Sequence, residues 1–197
     1  MSRKKSVLCV AALTALACGL GLPFAAQGQE QEDPAMAAMM KLAAPGEHHQ
    51  HLAKLAGDWK TAGKFWMVPG APPDESSGTM HFEPILGGRF MQSHYKGAMM
   101  GMAFAGIGLD GYDNLKQKHI GMWIDNMGTM MMTFEGTCTD GGKVTTTTSS
   151  FTDPATGQAM TMKSVVTLVD ANKMLFEAFM KPAGGEFSKS LEITYTR

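Results

Sequence analysis

Three imidazoles stand almost together at His48, His49 and His51. On a helix, His48 and His51 share a face at i, i+3. Paired imidazoles suit zinc or copper. No matching set of acidic or thiol ligands lies near them in sequence, so the cluster reads as a solvated patch rather than a metal site. Methionine is the other soft donor, with 19 in the chain and clusters at Met99, Met100 and Met102 and at Met127, Met130, Met131 and Met132. Thioethers favour Cu(I). Strand alternation, however, puts Met130 and Met132 on one face and Met131 on the other. That arrangement fits an adaptable apolar lining better than a ligand set. No metal ligand is assigned and no cofactor is called for.

A second group of residues could orient a small molecule. The candidates are Trp66, His94, Tyr95, Met102, Phe104, Trp123, Asp125 and Glu135. Trp123 and Asp125 share a strand face with His119, and Tyr95 shares one with Met91. Polar groups of this kind, turned into a cavity, must be hydrogen-bonded, hydrated or paired with a ligand. Alternation alone does not say which face is inside. No catalytic residue is assigned: G-x-S-x-G, H-E-x-x-H, C-x-x-C and the P-loop are all missing. Cys138 at a strand end reads as a filler. Gly106-Ile107-Gly108-Leu109-Asp110-Gly111 fits G-x-G-x-x-G on paper, but no helix follows it, so the dinucleotide reading fails. Those glycines read as relief for a bending strand.

The elements that must position these residues are strands. From Asp58 onward the apolar period is two. Strands are expected at about 58–67, 77–86, 89–97, 102–112, 117–125, 129–138, 143–152, 158–170, 173–181 and 186–196, joined by short loops rich in Gly, Pro, Asn and Asp. Ten strands in hairpin succession make an up-and-down antiparallel meander, and closure into a barrel removes its edges. The all-β barrel is preceded by a short helical segment, 35–43, and a second helix from Pro45 through Leu55. Leu52 and Leu55 give that second helix an apolar edge able to cap one barrel end. Strand 143–152 is nearly all Thr and Ser, which implies either an edge or a wall facing a wet cavity.

The N-terminus reads as an export leader. Arg3, Lys4 and Lys5 precede an apolar run from Val7 to Leu22, then Pro23 and small residues at Ala25, Ala26 and Gly28. Cleavage is expected near residues 26–28, with lipoprotein processing at Cys18 as the alternative. The run of about 16 apolar residues is short of the roughly 20 that span a bilayer. Loss of the leader takes the 17 basic residues to 14 against 18 acidic ones, a net charge of −4. That charge does not suit nucleic acid. Cys9 and Cys18 leave with the leader, so the mature chain has no internal disulfide. The organisation expected is a leader over 1–28, a polar tail and short helix over 29–46, and one barrel domain over 47–197.

Asp58-Trp59, Phe65-Trp66-Met67, Pro69-Gly70-Ala71-Pro72, Ile85-Leu86-Gly87-Gly88-Arg89-Phe90, Gly111-Tyr112-Asp113, Trp123-Ile124-Asp125-Asn126-Met127 and Glu192-Ile193-Thr194-Tyr195-Thr196-Arg197 resemble the bacterial family DUF1579 over roughly residues 47–197. The resemblance implies a calycin-like barrel, distantly similar to lipocalins and nitrobindin-type haem barrels, with no established activity. It also implies that Trp59 packs under Arg197 as a structural end-cap. In the haem barrels a His near the end of the last strand ligates iron. Leu191-Glu192-Ile193-Thr194-Tyr195 has none, so b-type haem would need His81, His94 or His119 instead.

The reading that follows is a non-catalytic exported barrel, periplasmic or secreted, that binds a small and mostly apolar molecule. A metal or haem carrier using Met and His is the second reading. Acid–base chemistry by a cavity carboxylate with His94 or Tyr95 is the third.

Overall fold

The computed structural model describes residues 33–154 and 156–197; the expected leader, the cleavage points expected for it and Cys18 lie outside them. Two short helices lead into ten strands. Helix α1 spans Pro34–Ala43 and α2 spans Glu47–Ala53. The strands are β1 (Gly57–Phe65), β2 (Asp74–Ile85), β3 (Phe90–Met99), β4 (Met102–Asp113), β5 (Lys118–Asp125), β6 (Met132–Thr139), β7 (Val144–Thr152), β8 (Ala159–Asp170), β9 (Lys173–Pro182) and β10 (Ser188–Thr196). Each strand pairs antiparallel with its neighbour in sequence, and β1 pairs with β10 to close the barrel. All ten expected strands are present. Met130 and Met131, expected in a strand, lie instead in the exposed loop before β6.

Local chemistry explains the boundaries. Pro34 opens α1, where its missing N–H has no partner to lose. Ala, Met and Leu then sustain the helix. At the start of α2, His49 reaches back so that its Nδ1 accepts the Gly46 backbone N–H at 3.0 Å. Between β3 and β4, Met100 and Gly101 both take positive φ, 50° and 74°. Two-residue hairpin loops of the primed type require that conformation.

Register sorts the faces. Trp59, Met80, Phe82, Met91, Tyr95, Met174 and Tyr195 form one buried cluster inside the barrel, with Phe104, Trp123, Val166, Leu168, Phe176 and Ile193 packed on it. Met is well suited to filling so irregular a lumen. The Thr-rich β7 is no edge, because it pairs with β6 and β8. Its Ser149 is buried across from β8, where Ser164 is buried as well.

The α2 end is latched by Trp59 of β1 and Arg197, which follows β10. The Trp59 indole is 1% exposed, and its Nε1 donates to the Leu55 carbonyl at 2.7 Å. The Arg197 guanidinium lies 4.2 Å from the Trp59 ring centroid. It also donates to the carbonyls of Ala56 (2.7 Å), Lys54 (3.2 Å) and Ala171 (2.8 Å). The last residue of the barrel thus holds the helix that precedes the first strand.

Candidate functional site

The sequence candidates do not converge on one pocket. Tyr95 is buried in the core, with its ring laid over Gly78 and Gly97, where any Cβ would overlap it. Phe104 sits 5.5 Å from that ring. Trp123 covers Gly106 and Gly108. The G-x-G spacing of β4 therefore makes room for an indole; this is the physical cause of those glycines. Trp123 Nε1 donates to Asp125 Oδ2 at 2.9 Å, and Asp125 Oδ1 accepts the Met127 N–H at 2.9 Å. Asp125 thereby organises the turn that follows β5. Met102 is exposed beside the Met100–Gly101 turn. On the outer wall, Trp66 faces the Lys189 ammonium at 6.0 Å and Glu135 pairs with Lys118. His94 stands in register between His81 and the exposed Ile107, and His81 itself binds Asp58 at 2.6 Å.

A groove of about 700 Å³ opens on the barrel wall. Phe90, Leu109, Ile120, Met122 and Met131 give it apolar surface, and Lys116, Thr133, Glu135, Thr148 and Ser150 add polar groups. These residues come from β3 through β7 and the adjoining loops. In register, Leu109 pairs with Met122 and Ile120 with Glu135. Because their alternate neighbours Asp110, Gly121 and Phe134 belong to the inner face, the groove lies on the outside of the barrel. Of the eight sequence candidates, only Glu135 lines it.

Asp110 stands on the inner face of β4, between Met91 and Gly121 in the ladders. Protein atoms surround the carboxyl. Desolvation lifts its pKa to about 7. The buried Tyr195 phenol is pushed well above its usual range, first by burial and then by nearby Tyr95 and Asp110.

The second constellation lies under α2. His48 stacks on Tyr112 with ring centroids 3.9 Å apart and 17° between planes. Its Nδ1 is 3.2 Å from Cys138 Sγ. His51 turns Nε2 toward Glu47 Oε1 at 3.7 Å, while its Nδ1 is buried without a partner. Gly142, at φ 82°, leaves the space that the His51 ring fills. One donor atom each from His48, His51 and Cys138 all lie within 4.8 Å of one another. His119 is 5% exposed, its ring centroid is 5.5 Å from that of His48, and its Nε2 has no partner. Burial, reinforced by His48, His51 and His49, lowers its pKa to about 4. His49, also buried, has its pKa lowered mainly by desolvation. The expectation of a solvated histidine patch is therefore overturned. The thiol missing from the local sequence arrives from β6, because the barrel fold brings the end of β6 beneath α2.

A closed ten-stranded up-and-down barrel under a helical cap defines a calycin-like β-barrel protein. The chain belongs to the family described as protein of unknown function (DUF1579), whose profile matches residues 44–197. Among solved structures it is similar to Rv2717c from M. tuberculosis, at 16% identity and a TM-score of 0.56, covering 78% of this chain and 99% of that one. It is also similar to EF1p2_mFAP2b bound to DFHBI, at 14% identity and a TM-score of 0.42, covering 76% of this chain and 98% of that one. No curated protein matches the chain.

Proposed function

We propose that this protein is an exported, non-catalytic binding barrel for a small and mostly apolar molecule, held in the outer groove between β3 and β7. The observation that carries the reading is the groove itself. Its volume of about 700 Å³ falls within the roughly 300–1,000 Å³ of small-molecule sites. Apolar walls with a few polar groups at the rim are the composition such sites use. Phe90, Leu109, Ile120 and Met122 supply the apolar area, and Lys116 and Glu135 are placed to orient a polar end. Export follows from the leader pattern at residues 1–28 and is part of the proposal. Among the described residues, no helix is long and apolar enough to cross a membrane.

The test is titration with an environment-sensitive apolar dye, 1-anilinonaphthalene-8-sulfonate. Saturable fluorescence with one site per chain is expected. Ile120→Arg, which puts a charge on the groove wall, should weaken dye binding by at least tenfold with an unchanged far-UV circular dichroism spectrum. Absence of saturable uptake, or uptake indifferent to Ile120→Arg, refutes the groove as the site.

A further inference from the structure

We propose that His48, His51 and Cys138, with His119 as fourth ligand, form a tetrahedral site for a zinc-like transition-metal cation that staples α2 to the barrel. The site is separate from the outer groove and shares no residue with it.

Donor chemistry comes first. Imidazole nitrogen and thiolate sulfur are the standard ligands of structural zinc. Bond lengths of about 2.1 Å to nitrogen and 2.3 Å to sulfur put tetrahedral donors roughly 3.3–3.8 Å apart. The His48 Nδ1–Cys138 Sγ separation of 3.2 Å is close to that range. All three donor atoms fall within 4.8 Å, so small side-chain adjustments complete the geometry.

Orientation comes second. A ligating histidine usually donates its other ring N–H to a carboxylate. His51 comes near that arrangement: its Nε2 lies 3.7 Å from Glu47 Oε1, and its buried Nδ1, packed against Gly142, has no partner. Tyr112 stacking fixes the His48 ring, and Gly142 backs His51. Third, the buried Nε2 of His119 has no hydrogen-bond partner. A buried nitrogen left unpaired costs free energy, and a metal ligand bond removes that cost. His119 neighbours both halves of the set: its ring meets His48 edge to face, and it shares a small void with His51.

The ligands come from three elements: α2, β5 and β6. Binding therefore joins the cap to the wall. On binding, the Cys138 thiol gives up its proton to solvent and coordinates as thiolate, so uptake is tighter at higher pH.

The test uses the full chain carrying Cys9→Ser and Cys18→Ser, which leaves Cys138 as its one thiol, titrated with Co(II) under reducing, anaerobic conditions. The expected result is one equivalent of Co(II) with a near-ultraviolet thiolate-to-cobalt charge-transfer band and intense visible ligand-field bands. Zn(II) should displace both and raise the Tm. Cys138→Ser should abolish the near-ultraviolet band, and His51→Gln should weaken Co(II) affinity at least tenfold. His119→Gln should keep the near-ultraviolet band while the visible bands lose intensity. If Cys138→Ser does not fold, His51→Gln carries the test alone. The proposal is overturned if no band appears at stoichiometric Co(II), if the band survives Cys138→Ser, or if His51→Gln binds as tightly as the parent. Visible Co(II) bands of unchanged intensity in His119→Gln would remove His119 from the shell and so overturn the four-ligand site.

Discussion

Asp110 illustrates how a single side chain sets a pH response. Its ordinary pKa of 3.8 becomes about 7 in the folded protein, because desolvation penalises the charged carboxylate. Below about pH 4 the group is protonated in both the folded and unfolded chain, and it adds no pH dependence. Between about pH 4 and 7 the folded state holds more protons than the unfolded state, so its stability falls as pH rises. Above about 7 the whole cost is present. Asp110→Asn keeps the shape and removes the charge. At pH 8 it is expected to stabilise the fold by about 2–4 kcal/mol, scaled from 1.36 kcal/mol per pKa unit, and at pH 4 to change little. Urea midpoints at the two pH values give the answer; an equal effect at both would mean that the carboxyl is not held in its neutral form.

Among the elements, α2 packs on the rim of the barrel and depends on its latch. At seven residues it is too short to be stable alone. It holds position through Leu52 and Leu55 on the core, the Trp59 indole on the Leu55 carbonyl, and Arg197 on the carbonyls of Lys54 and Ala56. Arg197→Ala removes the stacking on Trp59 together with these bonds. The expected loss is about 1–2 kcal/mol, since cation–π contact contributes ~0.5–1 kcal/mol and each hydrogen bond about as much, discounted for exposure. Amide exchange should accelerate over residues 47–56 while the strand amides of β4 to β8 stay protected. Uniform acceleration across the barrel would show that the latch supports the whole structure and not the cap. The strands themselves were legible in the sequence, because alternation and turn residues mark them locally. Their faces were not. On β5, Ile120, Met122 and Ile124 look outward while Trp123 looks inward, so both faces are apolar and alternation loses its sign. That is why the groove escaped a reading that looked for a lumen. The His–Cys cluster was hidden for another reason: its α2 half, His48 and His51, lies about 70–90 residues along the chain from its wall half, His119 and Cys138. Topology held the missing clue. In a meander, the end of β4, the start of β5 and the end of β6 share one rim, and that rim is where a helix leading into β1 must sit.

At the scale of the whole molecule, one ladder differs from all the others. Nine strand pairings join neighbours in sequence across short loops, whereas β1 and β10 pair across nearly the full chain, Lys60 with Thr196 and Phe65 with Leu191. Local hairpins cost little loop-closure entropy, and the β1–β10 ladder must overcome the largest. The meander should therefore assemble before the barrel closes, with the closing contacts absent from the folding transition state. Ile193 lies on β10 opposite Gly63 of β1 and packs on the core; Val166 lies on β8, in register with Thr145 and Phe176 of adjacent strands. Truncation of either to alanine costs about 2 kcal/mol or more, enough for a reliable kinetic partition. Ile193→Ala is expected to leave the folding rate nearly unchanged and to speed unfolding by about 30-fold, the full effect of ~2 kcal/mol on one limb. Val166→Ala is expected to slow folding measurably. Stopped-flow chevrons on the two variants decide the matter. If Ile193→Ala slows folding as much as Val166→Ala, closure is already formed at the barrier, and the barrel folds around its seam instead of finishing there.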